Sequence, residues 1–205
     1  MNIPAEFDEI RPYAPEELPQ VFEELIADPM FKAVVGQVMP GIPFDMIAAQ
    51  MRQCKTNLDF QKAFFYRLLK DLVQKCAKGL DFDCSAIKDK SLNYTFISNH
   101  RDIVLDSALL SVVLIENGMN TVEIAIGDNL LIYPWIKKIV RINKSFIVKR
   151  GLGLREQLKS SMLMSSYMHY AISQKHENIW IAQRQGRAKD SNDRTQAVSY
   201  THLRA

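Results

Sequence analysis

From Ser91 onward the chain alternates short runs of β-branched and aromatic residues with longer stretches of helical period, and this alternation restricts the fold more than any other feature. Residues 94–98 (YTFIS), 121–126 (TVEIAI), Ser145–Val148 (SFIV) and Asn178–Ala182 (NIWIA) have the composition of strands. Between them, residues 106–117, 130–140 and 154–174 read as helices. Strand and helix in alternation imply an α/β fold with a mostly parallel sheet flanked by helices.

Residues 1–90 read differently, as a helical N-terminal region punctuated by Pro12, Pro15, Pro19, Pro29, Pro40, Gly41 and Pro43. Its clearest helix spans 58–78. There Phe60, Phe64, Phe65, Leu68, Leu69, Leu72, Val73 and Cys76 recur at spacings of three and four, and Gly79 stands where a left-handed C-cap is expected. A chain of 205 residues that is 47% hydrophobic can bury one core with a helical annex, not two full domains.

Lys and Arg number 26 against 23 Asp and Glu, a balance too even to point to nucleic acid. Cys54, Cys76 and Cys84 have no metal-ligand spacing and suit reduced thiols in a cytoplasmic protein, so no metal is expected. The acidic N-terminus has no secretory pattern, and no apolar run nears the ~18 residues of a membrane span, so any membrane contact is expected to be peripheral.

At the end of the first strand stands Asn99-His100-Arg101-Asp102, with Asp106 opening the next helix. Strand ends are where α/β folds expose reactive groups. An imidazole there can take a proton from an alcohol if a carboxylate holds its other nitrogen, and Asp102 and Asp106 are both candidates. The triplet His100-Arg101-Asp102 also opens the kinase catalytic loop, but Ser107 stands where that loop needs Asn, and no glycine-rich loop or Asp-Phe-Gly accompanies it.

Three blocks, in order, resemble the glycerolipid O-acyltransferase family, which acts on glycerol 3-phosphate or 1-acylglycerol 3-phosphate. The first is 99–106, similar to the family's His-Asp motif. Next comes Ser145-Phe146-Ile147-Val148-Lys149-Arg150, similar to its strand ending in a phosphate-holding arginine. Gln183-Arg184-Gln185-Gly186-Arg187 is similar to its Glu-Gly…Arg motif. The resemblance covers roughly 91–190 and implies a catalytic domain over 91–196. In it His100 is the base, Asp106 (alternatively Asp102) orients it, and Arg150 and Arg187, with Lys149, Gln185 and Gly186, bind the acceptor's phosphate. It implies an acyl carrier protein or CoA thioester as co-substrate, a glycerol-phosphate acceptor, no further cofactor, and a place on the inner face of the cell membrane.

Two departures stand out: five residues separate His100 from Asp106 where the family has four, and Gln185 replaces Glu. They leave room for an alternative, a non-catalytic lipid- or acyl-carrier-binding member, or an acyltransferase for another lyso-lipid. The family's last motif is absent. Residues 197–205 (AVSYTHLRA) resemble a translated sequencing-library adapter, so the domain is expected to be truncated near Gln196 and to end in a non-native tail.

For the membrane surface, Tyr133, Trp135, Lys137 and Lys138 form an aromatic segment flanked by lysines, and from Lys137 to Arg155 there are seven basic residues and no acidic one. Met162, Met164 and Met168 with Leu158 and Leu163 on the last helix are expected to be core, and His169 a hydrogen-bonded packing residue.

Overall fold

In a computed structural model the chain is described over residues 3–183 and 187–188. The expected alternation is present. Strand β1 (Thr95–Ser98), helix α6 (Leu105–Glu116), β2 (Val122–Gly127), α7 (Pro134–Ile142), β3 (Ser145–Val148), α8 (Leu154–Ser173) and β4 (Asn178–Ala182) follow in order. They are preceded by α1 (Leu18–Ile26), α2 (Pro29–Val38), α3 (Phe44–Gln53), α4 (Asn57–Phe60) and α5 (Arg67–Cys76).

All four strands pair in parallel, in the order β1-β4-β2-β3. Their carboxyl ends therefore share one edge, which gathers the loops beginning at Asn99, Asp128, Lys149 and Gln183. The N-terminal segment lies along the outside of β3, where the Ile147 N–H donates to the Ile10 carbonyl at 2.9 Å. Beside it the Arg141 guanidinium, stacked 4.1 Å from the Tyr13 ring, donates to the carbonyls of Asp8 and Arg11.

The boundary near residue 90 separates two kinds of secondary structure, but the core crosses it. Leu18, Phe22, Leu25, Ile47, Met51 and Phe60 of the N-terminal helices enclose Ile142 of α7. Leu69 of α5 packs with Ala108 and Val112 of α6. One face of the sheet carries α8 through Phe146, Tyr167, Ala171 and Ile179, joined by Phe7 and Ile10. The other face buries Leu114, Val122, Ile124 and Trp180. Each large side chain so enclosed contributes about 1.5–3 kcal/mol.

Two helices depart from their expected form. The helix expected over 58–78 contains a π-helical stretch, Gln61–Tyr66, between α4 and α5. This wider turn shifts the apolar face, so Leu69 points inward while Leu68 and Leu72 are exposed. The helix ends at Cys76 with Ala77 extended, so Gly79 lies beyond it and caps nothing. The helix expected over 130–140 starts only at Pro134. Proline forces Tyr133 into extended backbone (φ −123°, ψ 145°) and itself fits the first helical position.

Among the described residues, no helix is long and apolar enough to cross a membrane.

Candidate active site

At the end of β1, two carboxylates shape the turn that carries His100. Asp102 Oδ1 accepts the N–H groups of Val104 and Leu105, both at 2.8 Å, and so caps the start of α6. These two backbone donors hold its carboxyl below the usual range, with Arg187 and His100 adding smaller electrostatic contributions.

Asp106, in the first turn of α6, reaches back instead. Its Oδ2 lies 2.9 Å from His100 Nδ1 and accepts the N–H groups of Arg101 at 2.8 Å and Asp102 at 3.1 Å. Of the two carboxylates left open by the sequence, the structure brings Asp106 to the imidazole and spends Asp102 on the helix cap. The extra residue between His100 and Asp106 is absorbed by the turn at Ile103 and Val104, whose side chains are exposed.

With Asp106 ionised, Nδ1 carries the proton and donates it, leaving the lone pair of Nε2 free to act as a base. The imidazole and the carboxylate are each 18% exposed: sheltered from bulk water, yet reachable.

Around the histidine, pairing between β1 and β4 continues past the strands. Gln183 N–H donates to the Ser98 carbonyl at 2.9 Å, and Ala188 N–H to the His100 carbonyl at 2.7 Å. The Gln183 side-chain amide donates to Asn99 Oδ1. Arg187 is therefore held near the dyad; it is exposed, and its charge is felt at Asp102. Gln185 and Gly186 lie outside the described residues.

Arg150 approaches from the other side. Its backbone N–H donates to Asp128 Oδ1 at 3.0 Å, tying the loop after β3 to the loop after β2. Its side chain lies across Gly127, where an added Cβ would come within 3.4 Å of Arg150 Nε and 2.5 Å of Asn129 Oδ1. Strands β1 and β3 are three spacings apart, roughly 14 Å. The Arg150 side chain thus lies against the end of β2, between those two strands in the sheet order.

Several expected contributors are placed elsewhere. Lys149 pairs with Glu9 at 2.6 Å, which lowers the Glu9 carboxyl's pKa. Trp135, expected at head-group depth, packs 6.0 Å from the Phe31 ring in the N-terminal helical cluster. Lys138 pairs with Glu24 at 2.8 Å. Tyr133 and Lys137 do remain exposed.

Of the seven basic residues from Lys137 to Arg155, four are thus paired or hydrogen-bonded within the chain. They are Lys138, Lys149, Arg141 on its backbone carbonyls, and the buried Lys144, which pairs with Glu177 at 2.6 Å. On α8, Met164, Leu163 and Met168 pack as expected, but Leu154, Leu158 and Met162 form an exposed stripe and His169 faces out with them.

Sequence reasoning passed over Trp180 and Ser98, which border His100. The Trp180 ring stands edge-on to the imidazole, centroids 5.9 Å apart at 71°. Its Nε1–H donates to Ser98 Oγ at 3.0 Å. Trp180 reads in the sequence only as an apolar strand residue; the pairing of β4 with β1 is what places it there.

No family model matches the chain, and no curated protein sequence matches it.

Proposed function

We propose that this protein is an acyltransferase that moves a fatty acyl group from an acyl carrier protein or CoA thioester to a hydroxyl of glycerol 3-phosphate or its 1-acyl derivative, in phospholipid synthesis. The observation that carries the reading is His100 Nδ1 on Asp106 at 2.9 Å, at the carboxyl edge of a parallel sheet. The ordered resemblance of three sequence blocks to glycerolipid acyltransferases supports it.

In this reading Nε2 of His100 removes the proton of the acceptor hydroxyl, and the oxygen attacks the thioester carbonyl. The tetrahedral intermediate collapses, the C–S bond breaks, and the departing thiolate takes the proton back from the imidazolium. Asp106 stabilises the imidazolium and fixes its orientation, so no serine or cysteine nucleophile is needed. Arg150 and Arg187 hold the phosphate from two sides, as always-charged planar donors suit an anion.

The reading also places the protein on the inner face of the membrane. Support comes from the exposed stripe Leu154, Leu158 and Met162, flanked on the same helix by Arg155 and Lys159, and from Ile132 and Tyr133 at the same edge of the sheet.

The test is thioester-dependent acylation of glycerol 3-phosphate, followed by release of free thiol, with His100→Ala alongside. Activity in the parent that is lost in the variant is expected; equal activity in the two sinks the mechanism.

A further inference from the structure

Asp106 fixes one nitrogen of the imidazole, but a ring held at a single atom can still rock about that bond. Two further contacts oppose the motion. The edge-on Trp180 ring lies against the imidazole. A relay also runs from that ring into the backbone: Trp180 Nε1–H donates to Ser98 Oγ at 3.0 Å, and the Ser98 hydroxyl donates to the Asn99 carbonyl at 2.9 Å.

The Asn99 carbonyl belongs to the peptide unit that leads into His100, so the relay sets the plane from which the imidazole projects. Trp180 is only 4% exposed and sits among Leu114, Val122 and Ile124, which makes it a rigid anchor. The geometry thus converts the packing of the sheet's core into an orientation of the histidine.

We propose that Trp180 and Ser98 act as one positioning unit for His100, aiming Nε2 at the acceptor hydroxyl. This rests on the reading of His100 as the base. Both act through His100 and its backbone, so the unit is expected to affect the chemical step and not binding. A reacting atom displaced by about 1 Å can lose on the order of a hundredfold in rate.

The test measures kcat and KM for acyl transfer in Trp180→Phe, Ser98→Ala, the double variant and Ser98→Thr, with circular dichroism and melting to verify the fold. Trp180→Phe keeps a ring in the core and removes the N–H; Ser98→Ala removes the hydroxyl; Ser98→Thr restores it. We expect each of the first two to lower kcat by about tenfold or more, with KM for both substrates within about twofold. The double variant should lose no more than the worse single, because breaking one relay twice adds nothing. Ser98→Thr should recover kcat to within about threefold of the parent.

Wild-type kcat in both single variants, beside an inactive His100→Ala, overturns the positioning unit while leaving the base in place. Losses that multiply in the double variant overturn it as well, since they mean two independent contacts. Full activity in His100→Ala is a separate failure: it removes the base, and the unit with it.

Discussion

The division of labour between the two carboxylates yields a sharp contrast of substitutions. Asp106→Asn keeps the size of the side chain and one oxygen. The N–H groups of Arg101 and Asp102 converge on Asp106 Oδ2, the same oxygen that faces His100 Nδ1 at 2.9 Å, so the amide oxygen of the variant settles there and still accepts the Nδ1 proton. The tautomer is kept, but the negative charge that stabilises the imidazolium is gone. Losing the charged partner of that hydrogen bond costs about 1.5–3 kcal/mol of barrier, roughly 10- to 150-fold in kcat.

Asp102→Asn should behave otherwise. Asn caps helices nearly as well as Asp, and the two N–H groups at 2.8 Å still find an oxygen, so stability should change by less than about 1 kcal/mol. Activity should stay within about threefold of the parent. The assay is steady-state acyl transfer with thermal melting on both variants. Equal damage from the two substitutions, or near-normal kcat in Asp106→Asn, would refute the assignment of roles.

Three further outcomes follow from the same geometry. Gly127→Ala should raise KM for the phosphate-bearing acceptor several-fold with little change in kcat, because a Cβ pushes Asn129 aside and crowds Arg150; initial-rate kinetics measure this. Leu158→Glu and Met162→Glu should each weaken sedimentation with phosphatidylglycerol vesicles without altering the melting temperature, whereas Trp135 fluorescence should not respond to vesicles, since that ring is packed against Phe31; vesicle binding unchanged in both variants would remove α8 from the membrane surface. Asp102 binds its proton more weakly folded than unfolded. Its contribution is therefore fully present above its ordinary value of 3.8 and is lost as pH falls through its lower folded value, so Asp102→Asn should flatten the drop in urea midpoint below pH 3.8.

The strands were readable because their local chemistry and tertiary role agree: β3 and β4 coincide with SFIV and NIWIA. The π-helical turn was not, since helical period in the sequence does not disclose one wider turn that re-aims Leu68 and Leu72. His100 stood out as a histidine at a strand end, yet the choice between Asp102 and Asp106 depends on how the chain turns at Ile103 and Val104. Basic density was the least faithful signal. Lys149 meets Glu9 from the far end of the chain, and Lys144 meets Glu177, partners that no local window contains. Amphipathicity likewise told which residues of α7 are apolar, but not that Trp135 faces the N-terminal helices.

The segment around Ile10 that lies along β3 has a consequence at the opposite side of the sheet. Its carbonyl takes the Ile147 N–H and so partners that side of the sheet at β3, while β1 pairs among the described residues only with β4. An exposed strand edge is a template for another strand. Among the described residues, the unpaired side of the sheet therefore runs along Thr95 to Ser98, directly beside the turn carrying His100. A strand laid along that margin would sit next to the imidazole.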